Sequence, residues 1–168
     1  MNLISGSKDK TINVWDISNI NYGTWNLEPS NSLNGHYDTV TCLELLNNNK
    51  LASGSVDATV LIWNLETFEC INEFQGHWES VECLSVYGNN RVISGSTDKT
   101  IRIWNLEKNC AELLLVGHED SVTSLQILNE NHLLSSCGIF TSIIWDLNSG
   151  QALVILKSIN FILFYFSF

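Results

Sequence analysis

The chain has 168 residues, the length of one ordinary domain, and is 45% apolar with 10% aromatic residues, which excludes intrinsic disorder. Eighteen acidic residues against eight basic ones leave a net charge of −10. A field of that sign repels phosphate backbones and anionic lipid, so no direct nucleic-acid or membrane-surface binding is expected. It would attract a basic partner, but an acidic balance also serves solubility alone, and that is the preferred reading.

In chain order, the first unit is residues 3–17, a partial copy of a motif that recurs later. Residues 19–32 follow as an insertion holding the lone proline, Pro29, and are predicted to be a loop. Three full units then run over residues 35–75, 76–116 and 117–157. Each opens on Gly-His (Gly35-His36, Gly76-His77, Gly117-His118) and carries a tryptophan in phase (Trp63, Trp104, Trp145), so that both features advance by the same constant step. Trp15 to Trp63 is longer than that step, and the excess is the insertion. A period of this size marks a supersecondary unit that cannot bury its own apolar face and must stack on copies of itself.

Inside each unit the apolar spacing is two: Ile101 and Ile103 alternate with Arg102 and Trp104. Runs rich in Val, Ile, Thr and Trp are broken by turn residues such as Gly88-Asn89-Asn90, Asp98 and Lys108-Asn109, with Asn47-Asn48-Asn49 as further turn chemistry. Such runs predict short β-strands, four to a unit, with no helix required. Repeated at this period, they predict an all-β radial array, a partial β-propeller of four-stranded antiparallel blades with three full repeats plus one incomplete. Residues 158–168 are apolar and off the repeat. They fall short of the ~20 apolar residues a membrane span needs, and read as non-repeat sequence or as an added strand sealing the deficient first blade.

The five cysteines (Cys42, Cys70, Cys83, Cys110, Cys137) form no CxxC pair, and Met1-Asn2-Leu3-Ile4 runs straight into repeat sequence without a secretory signal. The expectation is a reduced intracellular setting, cytoplasmic or nuclear, with free buried thiols.

Gly-His near the start of each unit, Ser-Gly-Ser before an Asp turn, and a closing Trp15-Asp16, Trp63-Asn64, Trp104-Asn105 or Trp145-Asp146 resemble the WD-repeat family over residues 3–157. The resemblance implies a β-propeller whose blades each take their outer strand from a neighbouring repeat. It also implies a rigid scaffold that holds proteins together, without catalysis or cofactor.

Hydrogen-bond accounting explains why polar residues recur in such a core. A chain from indole to hydroxyl to imidazole to carboxylate maps to Trp63, Ser53, His36 and Asp57 in residues 35–75. In residues 76–116 it maps to Trp104, Ser94, His77 and Asp98, with Ser96 as the alternative hydroxyl. A buried polar group left unpaired costs ~1–3 kcal/mol, so only a complete chain stabilises. A catalytic triad occurs once per active site, not once per repeat. Nor do His36, His77 and His118, each a full repeat from the next, offer any local pair of metal ligands. Residues 117–157 keep His118, Ser135 and Trp145, but Ile139 stands where the turn carboxylate belongs, which predicts the least rigid blade. The first copy keeps Ser5, Asp9 and Trp15 and has no histidine.

In this fold the Gly-His and Asp-turn loops share one face, and their residues differ between units as a reading surface should. The candidates are Tyr37, Trp78 and Glu119, then Asp38, Glu79 and Asp120, then Lys8, Val56 and Thr97. Trp78, like Trp25, falls off the Trp-Asp beat; beside Glu79 it fits an interface anchor, and equally a ring packed on a neighbouring blade's rim. The expected function is a non-enzymatic protein–protein interaction scaffold for proteins or peptides. One alternative is the substrate-recognition propeller of a ubiquitin ligase, because the Ser-Gly-Ser-x-Asp and Trp-Asn-Leu-Glu phrasing is similar to that of F-box/WD-repeat proteins. Another is the regulatory domain of a larger enzyme-containing protein. Propellers close with about 4–8 blades, so missing blades or a second copy are expected to complete the ring.

Overall fold

The computed structural model describes residues 2–18, 28–138 and 141–157. These residues form fifteen strands in four antiparallel meanders. The first sheet has three strands, β1 (Asn2–Gly6), β2 (Thr11–Asp16) and β3 (Asn31–Asn34). The second runs β4 (Val40–Leu46), β5 (Lys50–Ser55), β6 (Val60–Asn64) and β7 (Glu69–Phe74). The third is β8 (Val81–Tyr87), β9 (Arg91–Ser96), β10 (Thr100–Asn105) and β11 (Cys110–Val116). The fourth is β12 (Val122–Asn129), β13 (His132–Cys137), β14 (Thr141–Asp146) and β15 (Ala152–Lys157). The described residues contain no helix, and so none long and apolar enough to cross a membrane. The sheets stand as the blades of an open propeller arc.

The turn residues explain why strands this short reverse so sharply. Asn48, Asn49 and Asn109 take left-handed φ values of 60°, 53° and 51°, and Gly88 takes 63°. Asparagine and glycine adopt that region at least cost. Lys10, Ala58 and Lys99, in phase after the turn aspartates, sit there too, at 77°, 67° and 70°.

One expectation is corrected. The insertion is not loop to its end, because Asn31 and Ser32 already belong to β3. That strand is drawn into the sheet by register, Asn31 lying opposite Val14 and Ser32 opposite Asn13, while both the amide and the hydroxyl of Ser30 donate to the Val14 carbonyl. Residues 19–27 lie outside the described residues, as do Trp25 and the 158–168 tail. Counted from Gly-His, each unit holds one whole sheet, β7 following β4–β6 within residues 35–75, and β11 and β15 behaving alike.

The apolar core lies between sheets, not within them. Ile12 and Leu33 of the first sheet meet Val40, Leu51, Leu61 and Trp63 of the second. Ala52, Val60, Ile62 and Phe74 of the second meet Val81, Val92 and Trp104 of the third, and the third meets the fourth in the same phase. The Ser-Gly-Ser glycine sets how closely the blades approach. A Cβ on Gly6, Gly54 or Gly95 would lie 2.6 Å from Cγ1 of Val40, Val81 or Val122 on the next blade's inner strand. Only a residue without that atom lets the neighbour seat.

Candidate functional site

Each blade interior holds a polar chain that ends at a surface loop. In the second blade Trp63 Nε1 donates to Ser53 Oγ at 2.8 Å, and that hydroxyl lies 2.7 Å from His36 Nε2. His36 Nδ1 lies 3.0 Å from Asp57 Oδ2. An ionised carboxylate can only accept, so the imidazole proton sits on Nδ1 facing Asp57, and the Ser53 hydroxyl accepts the indole N–H while donating its own to the bare Nε2. The third blade repeats the chain through Trp104, Ser94, His77 and Asp98 at 2.8, 2.7 and 2.8 Å. Gly35, Gly76 and Gly117 leave room for the indole edge: a Cβ there would meet the tryptophan Cη2 at 2.8, 3.1 and 3.0 Å.

The aspartate is the hub. Asp57 Oδ2 also accepts the backbone N–H of Tyr37 at 2.8 Å, and Asp98 Oδ2 that of Trp78 at 3.1 Å. The other oxygen accepts the amide and hydroxyl of Thr59 (2.9 and 2.6 Å) or Thr100 (2.9 and 2.7 Å). Ser96 Oγ donates to the Glu79 carbonyl and accepts the Asp98 amide, and Ser55 does the same for Asp38 and Asp57. The alternative between Ser94 and Ser96 thus divides: Ser94 belongs to the indole chain, and Ser96 ties the two loops together. Thr59 and Thr100 were not among the expected participants, although Thr11, Thr59, Thr100 and Thr141 recur in phase and could have marked them.

Burial pushes the His36 and His77 imidazoles below the ordinary histidine range, against the pull of their aspartates. Burial also pushes the two carboxyls up, but their donors outweigh it: Asp57 is held below the usual range, and Asp98 at about 2. Burial lowers His118 as well. Because these histidines bind protons less readily folded than unfolded, acid favours the unfolded chain. Stability is expected to be fully present above the ordinary histidine value of 6.5 and to fall as pH drops below it. Protonation of Asp57 and Asp98 at lower pH adds to the loss. Melting temperature followed from about pH 7.5 to about 4.5 checks this, and a flat or rising curve would contradict it.

The other two blades hold partial chains. His118 Nε2 lies 2.6 Å from Ser135 Oγ, which accepts Trp145 Nε1 at 2.7 Å, but His118 Nδ1 is buried without a hydrogen-bond partner among the described residues. Ile139 lies outside the described residues. In the first blade Trp15 Nε1 donates to Ser5 Oγ at 2.9 Å, and Asp9 Oδ1 accepts the Thr11 amide and hydroxyl.

Of the partner candidates, Trp78 is 85% and Tyr37 79% exposed, and Asp38, Glu79 and Glu119 are also exposed. Trp78 therefore does not pack on a neighbouring rim. Asp120 is half-buried, its carboxylate close over Gly138. Val56 is exposed and Thr97 half-buried, while Lys8 belongs to the first blade. Each loop pair is joined by a backbone bond, Val56 to the Thr39 carbonyl and Thr97 to that of Ser80, so these residues share one face.

The cysteines divide. Burial raises the Cys42 thiol to about 11 and Cys83 higher still, so neither is a nucleophile at neutral pH. Cys70 and Cys110 are exposed on outer strands, against the expectation of buried thiols throughout. Among the described residues no three His, Cys, Asp or Glu side chains converge as metal ligands.

The profile of the WD domain, G-beta repeat (WD40) family matches residues 1–16, 27–64 and 68–105, more than half of the chain. The chain belongs to the WD40 family. In the family's phasing the segments 27–64 and 68–105 each begin with the outer strand of the preceding blade, β3 or β7, so in that phasing a repeat does lend a strand to its neighbour. The matched segments end at residue 105, and β12–β15 build a further blade beyond them. The WD40 chain is 41% identical over 64 residues to Mitochondrial division protein 1 of Schizosaccharomyces pombe, covering 38% of this chain and 9% of that protein. It is 59% identical over 39 residues to the probable E3 ubiquitin ligase complex SCF subunit scon-2 of Neurospora crassa, covering 23% and 6%. Human apoptotic protease-activating factor 1 is 42% identical over 65 residues, covering 39% and 5%. The matched stretch is thus less than a tenth of each relative's length. Among solved structures, the WD40 β-propeller domain of Doa1 superposes with a TM-score of 0.81 at 26% identity, over 94% of this chain and 51% of that one.

Proposed function

We propose that this WD40 arc is a non-enzymatic protein-interaction scaffold whose docking surface is the face bearing Tyr37, Trp78 and the carboxylates around them. The observation that carries this reading is Trp78: its backbone is pinned by the Asp98 carboxylate, yet its ring is 85% exposed. Tyr37 is held in the same way by Asp57. The buried chain thus immobilises the loop and presents a large aromatic surface to solvent, which lowers the ordering cost of binding. Asp38, Glu79 and Glu119 beside the aromatics, and the net charge of −10, favour a basic peptide or protein segment.

Arrays of Arg/Lys-rich and Glu/Asp-rich peptides test this. Basic peptides are expected to be retained, and Trp78→Ala to weaken retention roughly tenfold or more with little change in melting temperature. Equal retention of acidic peptides, or a large fall in melting temperature for Trp78→Ala, would contradict the reading. A second reading, substrate recognition within a ubiquitin ligase, is supported by the 59% identity to the protein named as an SCF subunit and by 60% identity over 37 residues to F-box/WD repeat-containing protein pof1 of Schizosaccharomyces pombe. Under that reading the bound peptide belongs to a protein whose turnover depends on this chain.

A further inference from the structure

The arc has two end faces, and each displays residues that are buried wherever the same phase recurs inside it. On the outward face of β12–β15, Leu156 is 50% exposed, whereas its counterparts Leu33, Phe74 and Leu115 are 1%, 2% and 1% exposed beneath the next blade. Phe74 shows what the phase is for, stacking on Trp104 with ring centroids 5.1 Å apart. Leu134 and Ile144 of this face are half-buried, while Ile93, Ile103 and Ile62 in phase are fully buried. At the opposite end, the outward face of β1–β3 carries Leu3 at 55% exposure and a half-buried Trp15, in phase with the fully buried Trp63, Trp104 and Trp145. Among the described residues, one end has an apolar outer strand with no tryptophan laid over it, and the other has a tryptophan with no such strand beneath.

A third feature selects the occupant. Ser136 replaces the Ser-Gly-Ser glycine and meets Ser142 Oγ at 2.8 Å. Inside the arc the inner-strand valine of the next blade presses on that glycine, where any Cβ would stand 2.6 Å away. Ser136 carries this Cβ, so a sheet with such an inner strand cannot seat as closely on β12–β15. The β1–β3 sheet can: its three strands correspond to β5–β7, and among the described residues it presents no inner-strand valine in the phase of β4.

We propose that the β12–β15 face docks the β1–β3 face of a second copy of this chain, with Leu156 over Trp15 and Leu134 and Ile144 toward Leu3. The contact is head-to-tail, and two such contacts close two copies into one ring. The arc superposes on about half of a solved propeller, which matches that stoichiometry. The inference is independent of the loop-face reading, since none of the residues it uses lies on those loops.

Light scattering on the 168-residue chain at tens of micromolar is expected to give twice its 18.9 kDa mass. Leu156→Glu and Leu3→Glu, at opposite ends, are each expected to weaken the assembly roughly tenfold to hundredfold and shift it toward monomer. Mixing the two variants is expected to restore association, because one intact contact re-forms between them. Leu45→Glu, at a position 64% exposed on β4, is expected to leave the dimer unchanged. A monomeric wild-type chain, an open-ended series of larger assemblies, or a dimer insensitive to both end variants would each overturn the proposal. Circular dichroism of each variant shows whether its sheets persist, and the mixing result stands even where one variant is partly destabilised.

Discussion

Trp104→Ala is expected to lower stability by about 3–5 kcal/mol, the loss typical of a large side chain removed from a packed interior. Three contacts go at once. The ring is 2% exposed between the second and third blades, stacked on Phe74 at 28° between planes. The Arg102 guanidinium lies 5.8 Å from its centroid. Its Nε1 is the donor that starts the polar chain through Ser94 and His77. The cavity cannot collapse readily, because strands of two hydrogen-bonded sheets form its walls and hold them at fixed spacing. Melting is expected to drop by roughly 10 °C or more, given a few degrees per kcal/mol for a chain of this size. Trp104→Phe separates the contributions: most of the volume stays and the donor is lost, so the cost should be about 1–3 kcal/mol. In the dilute, unassembled chain Trp15→Ala, at the half-buried position of the first blade, should cost distinctly less than Trp104→Ala. Equal losses at the two sites in denaturant titrations would show that packing between blades is not what buries Trp104.

Asp98→Ala is expected to cost roughly 2–4 kcal/mol, because the carboxylate accepts four donors and the most deeply buried of them, His77 Nδ1, would have no substitute. The Trp78 and Thr100 groups lie nearer the surface, where water replaces part of what they lose. The substitution also removes the group held at about 2, so the variant should lose less stability than the parent on acidification below pH 4. Because the same oxygen pins the Trp78 amide, peptide retention should fall with stability, in contrast to Trp78→Ala, where retention falls alone. Thermal melts across pH, run beside the peptide array, check both. A loss under about 0.5 kcal/mol would mean the carboxylate is solvated rather than a hub. The fourth blade, whose His118 Nδ1 has no partner among the described residues, is expected to exchange its backbone amides before the second and third.

The recurrence of Gly-His, Ser-Gly-Ser, the turn aspartate and the tryptophan at one fixed period was enough to determine the strands, their number per unit and the blade architecture. Each of those residue types answers a local demand: a glycine where a ring or a valine presses, and a hydroxyl, an imidazole and a carboxylate where an indole N–H must be paired. The membership of the polar chain was legible for the same reason, since donors and acceptors at matching phase admit few orders. Strand identity at Asn31 and Ser32 was not legible, because an insertion breaks the phase and only the register against Val14 and Asn13 recruits them. Nor could the pattern say which apolar residues are covered. Leu115 and Leu156 stand in the same phase, yet one is buried and the other half exposed, because burial here depends on the neighbouring sheet. The exposure of Trp78 was likewise open in the sequence, and was decided only when Asp98 took its amide and left the ring without a neighbour to pack on.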